Sequence, residues 1–176
     1  MNKAEDFGIL VNNLLFAYRQ FCLNRVMHEK VDGEAYKKFA LTWNTLLLSL
    51  EAGYLLGLAK VFDKPKELED TISIYSVLGY KLEKYNDVIQ RVRLIRNKML
   101  AHTDAKTARK QTPFLEENKI SLNDVENLFS IAVELLDQIR DREVYNESTL
   151  ELLSRTKQET RKEFMGWYET FQETNH

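Results

Sequence analysis

Cysteine, proline and glycine are scarce in this chain, and each scarcity removes a class of structure. Cys22 is the only cysteine among 176 residues, so no disulfide can close within the chain and a disulfide-stapled secreted module is excluded. Cys22 lies in the apolar run Phe21-Cys22-Leu23 and reads as a buried structural thiol. Two prolines and six glycines are too few for the turns of an all-β protein, which favours long helices. Long hydrophobic runs are missing as well. The most apolar stretch, 41–62, is cut by Glu51 and Lys60 into pieces too short to span a bilayer, and reads as a core helix. Lys3, Glu5 and Asp6, followed by Asn12 and Asn13, do not form the apolar segment of a signal peptide. The expected location is the cytoplasm, with no membrane partner.

What is present is globular in balance: 44% apolar and 30% charged residues, enough to bury one core. Apolar positions recur every three or four residues along most of the chain. Phe7, Val11, Leu14, Tyr18 and Phe21 predict a helix over 3–29, which Asp32-Gly33 ends. A second helix is expected over 34–62, with Tyr36, Ala40, Trp43, Leu47, Leu50, Tyr54 and Val61 on one stripe. Gly53 and Gly57, four apart on it, could signal close helix–helix contact, but ordinary packing is the expectation. Asp63-Lys64-Pro65 stops it, because proline cannot continue the hydrogen-bond ladder. A short helix follows over about 71–78, with Thr71 as N-cap and Gly79 as breaker.

The helix expected over 81–102 carries the stripe Tyr85, Val88, Val92, Ile95, Met99 and His102. Residues 103–120 are polar, contain Pro113 and read as a loop. Ser121 with Asp124, then Ser148 with Glu151, are capping boxes that open two more helices. The first has the stripe Leu122, Val125, Phe129, Ala132, Leu136 and Ile139. The second is polar from Ser154 to Glu163, so half solvated. Its aromatic end, Phe164 to Phe171, is expected to dock on the body or on another subunit. The chain thus reads as one all-α domain over 1–176, an up-and-down bundle of about five to six helices.

Chemistry has few places to reside. The histidines are His28, His102 and His176, without ligand spacing or a phosphate loop, so no metal or cofactor is expected. His28 and His176 read as solvated bystanders. Charge is more informative. The net charge is −2, yet residues 81–110 hold Lys81, Lys84, Arg91, Arg93, Arg96, Lys98, Lys106, Arg109 and Lys110 against only Glu83, Asp87 and Asp104. Such a focused basic stretch can steer a phosphate polymer, or it can be a solvated face balanced by acids from neighbouring helices.

His102 takes the next place on an apolar stripe, at a seam between helices. Burial there disfavours imidazolium and the helix C-terminus favours it, which leaves a group able to titrate near neutrality. Arg96 starts about 120° round the helix from His102 and about 9 Å along it. A shared site therefore needs a long reach, a frayed helix end or a second chain. A core histidine beside a surface arginine is the alternative.

Arg96-Asn97-Lys98 followed by Ala101-His102-Thr103-Asp104, at the end of a helix in an all-α chain, resembles the Arg-x4–6-His motif of HEPN domains. Residues 43–63, ending Leu58-Ala59-Lys60-Val61-Phe62-Asp63, the short helix after them, the polar loop and the Ser121-led helix resemble the abortive-infection type-U branch. The resemblance covers about 35–140, with 147–176 as an added C-terminal helix. It implies a metal-independent endoribonuclease of phage defence or toxin–antitoxin type. His102 would act as acid and base, Arg96 would bind phosphate oxygens and Asn97 would orient the imidazole or bind the ribose. Asp104 would support the other ring nitrogen, with Arg93, Lys98, Lys106, Arg109 and Lys110 on RNA. One chain offers one such histidine where cleavage needs a base and an acid, so a homodimer is implied. A cognate antitoxin or defence partner belongs to the same expectation. HEPN toxins silenced by a nucleotidyltransferase carry a Tyr just after the motif His, whereas Thr103 and Asp104 stand here. The alternatives are a non-catalytic helical module binding RNA, a nucleotide or a protein, and a structural interaction domain using Phe164 to Phe171.

Overall fold

The structure, a computed structural model, describes residues 3–63, 72–78, 87, 89–94, 120–140 and 144–175. Among them are no strands. The elements are α1 (Lys3–Lys30), α2 (Gly33–Lys38), α3 (Ala40–Val61), α4 (Ile74–Leu78), α5 (Leu122–Ile139) and α6 (Thr149–Asn175), with a further helical stretch at 89–94. The molecule is an all-α bundle.

α1 is its axis, packed against α3, α5 and α6. Phe7, Val11, Leu14 and Phe21 are buried as the apolar period predicts, and so are Leu10, Ala17, Val26 and Met27 on other sides of the helix. A helix surrounded by neighbours must be apolar over most of its circumference. α3 runs antiparallel to α1, with Ala17 beside Gly57 and the Asn24 side-chain amide donating to the Leu47 carbonyl at 3.2 Å. A β-carbon on Gly57 would lie 2.6 Å from that of Ala17 and 3.3 Å from its α-carbon, so these backbones approach as only glycine allows. Close helix contact, and not the ordinary packing expected, is therefore what Gly57 marks, while Gly53 faces only the Gln20 side chain.

The single helix expected over 34–62 is two helices. Asp32 accepts the Ala35 N–H at 2.7 Å and caps α2, which ends at Phe39 with φ −128° and ψ 34°. The Ala35 carbonyl accepts both the Phe39 backbone N–H and the Trp43 indole N–H, each at 3.1 Å, so the side chain of α3 ties it to the end of α2 across the bend. Tyr36 accordingly lies off the buried stripe and is exposed. The start of α4 also differs from expectation. Ser73 and Ser76 exchange backbone N–H to hydroxyl hydrogen bonds at 2.9 and 3.2 Å, so Ser73 caps the helix, while Thr71 and Gly79 lie outside the described residues.

α5 and α6 begin as expected. Ser121 and Asp124 form a complete capping box, and Ser148 and Glu151 repeat it. The Thr149 N–H donates to Asp137 at 2.9 Å, which sets the turn between the two helices. Leu128 and Leu135 join the buried stripe of α5, while Leu122, at the first helical position, stays partly exposed.

Apolar side chains gather in two cores. The larger joins α1, the C-terminal half of α3, 89–94 and α5. The smaller is aromatic and places Phe164 and Tyr168 of α6 against Val26, Met27 and Trp43. The aromatic end of α6 therefore docks on the body of its own chain. Its polar stretch is tied to α1 by the Arg161–Glu29 pair, two hydrogen bonds of 2.9 Å, and by the Arg19–Glu163 ion pair. The Tyr168 hydroxyl accepts the Asp32 N–H at 3.2 Å and donates to its carboxylate at 3.1 Å, holding the α1–α2 turn.

Candidate functional site

The described part of the basic stretch is the helical run 89–94, and it is held on three sides. Ile89 and Val92, three apart on one face, are fully buried in the larger core. Arg91 reaches Asp87 at 3.4 Å on its own stretch and Asp124 of α5 at 3.5 Å. Arg93 reaches Asp63, the residue after the C-cap of α3, at 3.5 Å with both side chains mostly shielded from water. For Arg91 and Arg93, then, acids on neighbouring elements balance the charge, which was one of the two readings of this stretch.

Asp124 has two duties. One carboxylate oxygen accepts the Ser121 N–H at 2.9 Å and the Ser121 hydroxyl at 2.8 Å, and the same oxygen faces Arg91. The Ser121 backbone N–H, then its hydroxyl, then Arg91 hold the Asp124 carboxyl below the usual carboxylate range. Neither Asp63 nor Asp124 stood out in the sequence as a partner of the basic stretch. One reads as a stop and the other as a cap, and only the packing brings them to the arginines.

Leu94 lies two residues before Arg96, so the anchored run delivers the chain directly to the motif. Arg96, Asn97, Lys98, His102, Asp104, Lys106, Arg109 and Lys110 lie outside the described residues, as do Tyr85, Val88, Ile95 and Met99 of the expected stripe. Arg93 is the one expected RNA contact that is described, and its guanidinium is engaged with Asp63.

Cys22 is buried, and burial pushes its thiol up to about 11 against a smaller lowering by the Tyr18 hydrogen bond. His28 is exposed in the last turn of α1, and His176 is outside the described residues. Among the described residues no group of three or more His, Cys, Asp or Glu side chains is placed to hold a metal ion. No helix among them is long and apolar enough to cross a membrane.

No curated protein and no solved structure matches the chain. A family model does, over residues 78–141. That range takes in the anchored run 89–94, the Arg96–His102 motif, the polar loop and all of α5, and leaves out residues 43–63. The model is that of AbiU2, within the HEPN class, and it is this part of the chain that is similar to it.

Proposed function

We propose that the chain is an endoribonuclease that cleaves RNA without a metal ion, with Arg96 and His102 as its catalytic pair. The observation that carries this reading is the family match at 78–141, which encloses Arg96-Asn97 and His102 at HEPN spacing. The anchoring of 89–94 supports it, because the chain is held in place two residues before Arg96.

The chemistry follows from the residue types. A neutral imidazole takes the proton of the ribose 2′-OH, whose oxygen attacks the adjacent phosphorus. The 5′-oxygen of the next nucleotide leaves and takes a proton from an imidazolium. The guanidinium of Arg96 meets the charge that grows on the phosphoryl oxygens. Asn97 orients the imidazole or the ribose, and Asp104 supports the far ring nitrogen. Lys98, Lys106, Arg109 and Lys110 bind backbone phosphates, and Arg93 joins them only by exchanging Asp63 for RNA. Two histidines are needed, so the site is completed across a homodimer that pairs two motif helices. A cytoplasmic role in phage defence, as a toxin restrained by a partner, fits this chemistry.

The test is a labelled RNA and the matching DNA strand, each incubated with the protein in excess chelator. The reading expects RNA fragments ending in a 2′,3′-cyclic phosphate or its opened form, and intact DNA. Cleavage of the DNA, or RNA that stays whole, contradicts it.

A further inference from the structure

α3 is covered along only part of its length. Leu41, Thr45, Leu48, Ala52, Leu55 and Ala59 are spaced four, three, four, three and four apart, so they form one stripe. Leu55 and Ala59, at its C-terminal end, are buried in the larger core. Toward the N-terminus the same stripe emerges into solvent. Ala52 is half-buried, Thr45 is exposed, and Leu48 and Leu41 are 65% and 83% exposed. From Ala52 back to Leu41 a core stripe thus runs on for about 16 Å, three helical turns, without a covering element among the described residues.

The surroundings of the stripe suit contact with protein and not with a charged ligand. Glu51 is the only charged residue from Ala40 to Ala59 in a chain that is 30% charged, and depletion of charge marks the centre of protein interfaces. Two hydroxyls on this face are already satisfied. Thr45 donates to the Leu41 carbonyl at 2.8 Å and Ser49 to the Thr45 carbonyl at 2.7 Å. Covering the face therefore strands neither donor.

The uncovered stretch is also its own complement. A two-fold axis between positions 46 and 47 sets α3 antiparallel to the α3 of a second copy, with Leu41 opposite Ala52 and Thr45 opposite Leu48. Each leucine then meets a smaller side chain of the other copy, and one register satisfies all four pairs. Glu51 and its symmetry mate lie about 14 Å apart along the seam, where physiological salt largely screens their repulsion. A foreign helix has no reason to match this order, whereas a second copy matches it by symmetry.

We propose that the N-terminal half of α3 is a contact between two copies of this chain, packed antiparallel along Leu41, Thr45, Leu48 and Ala52. The contact is independent of catalysis and uses a different helix from the Arg96–His102 motif. A chain that makes this contact and also pairs its motif helices assembles beyond a dimer.

Two measurements on the full chain test it. In sedimentation, Leu48→Glu should halve the mass of the wild-type assembly with circular dichroism unchanged, because Leu48 is exposed in the single chain. Pairing through the motif helices alone would survive that change. Cross-linking reads the register. Tagged Leu41→Cys mixed with untagged Ala52→Cys should form a mixed disulfide under a mild oxidant. Leu41→Cys alone should not, since its two copies of position 41 lie about 16 Å apart along the seam, too far for a disulfide. Cys22 is buried and does not compete. A monomeric wild type, or a mass indifferent to Leu48→Glu, overturns the proposal. So does a mixture that forms no mixed disulfide, or bridging as strong in Leu41→Cys alone as in the mixture.

Discussion

The two cores differ in what they hold. The larger one is mainly aliphatic and closes around Leu10, Leu14, Leu58, Leu128 and Leu136, and it also receives Ile89 and Val92. The smaller one is aromatic, with Trp43 edge-on to Trp167, Tyr168 and Phe171, and it holds only the end of α6 and the α2–α3 junction. The first fixes the segment that leads to the motif, and the second fixes a tail. The stability of the whole protein and the placement of its candidate site therefore depend on the same set of side chains, while the aromatic core is a local fastening.

The largest effect should come from the larger core. Leu58 is fully buried, and Leu58→Ala should cost about 2–5 kcal/mol in denaturant unfolding, with a matching loss of ribonuclease activity at physiological temperature. Gly57→Leu should be at least as damaging, since Ala17 occupies the space its side chain would need. If either variant unfolds like the wild type, the axis role of α1 and α3 is wrong.

Trp43→Ala sharpens the contrast. It removes the centre of the aromatic core and the hydrogen bond to Ala35, for a cost of roughly 3 kcal/mol or more. Hydrogen exchange should quicken in 164–175 and in α2 more than in 89–94. Equal loss of protection in both regions would mean that the cores are one cooperative unit.

Smaller effects concern the anchors of 89–94. Asp124→Asn removes the reciprocal acceptor of the α5 cap and the partner of Arg91, and should cost about 1 kcal/mol at pH 7. The pH dependence has a defined sign. The folded-state carboxyl is held low, so its contribution is complete above the unfolded value near 4 and fades as pH falls through the lower folded value. Asp124→Asn should therefore lose less stability than the wild type on acidification from neutrality to below that range. Asp63→Asn should shift the unfolding midpoint least, by under about 1 kcal/mol, because a partly solvated ion pair contributes little. Its signature is kinetic: slower RNA cleavage at saturating substrate.

The features legible in the sequence are those written locally. α1 and α5 follow from apolar periodicity, and the starts of α5 and α6 from capping boxes complete within four residues. The break at Phe39 was not legible, because it is a change in the dihedrals of one residue with no proline or glycine beside it to mark the bend. Nor was the Ser73 cap, since serine at the third helical position lacks the glutamate signature. The pairing of Arg91 with Asp124 and Arg93 with Asp63 depends on how α3 and α5 pack, which no local pattern states. The motif itself was legible as residue types and spacing, and the match over 78–141 covers it.

The most direct test of the account is the RNA-cleavage rate of His102→Ala beside the wild type in excess chelator, with circular dichroism on both. The account predicts a fall of about 10²–10⁴-fold in rate with the helical spectrum unchanged, the range that general acid–base catalysis by the proposed His102 would supply. Cleavage at the wild-type rate by a folded His102→Ala protein would contradict it.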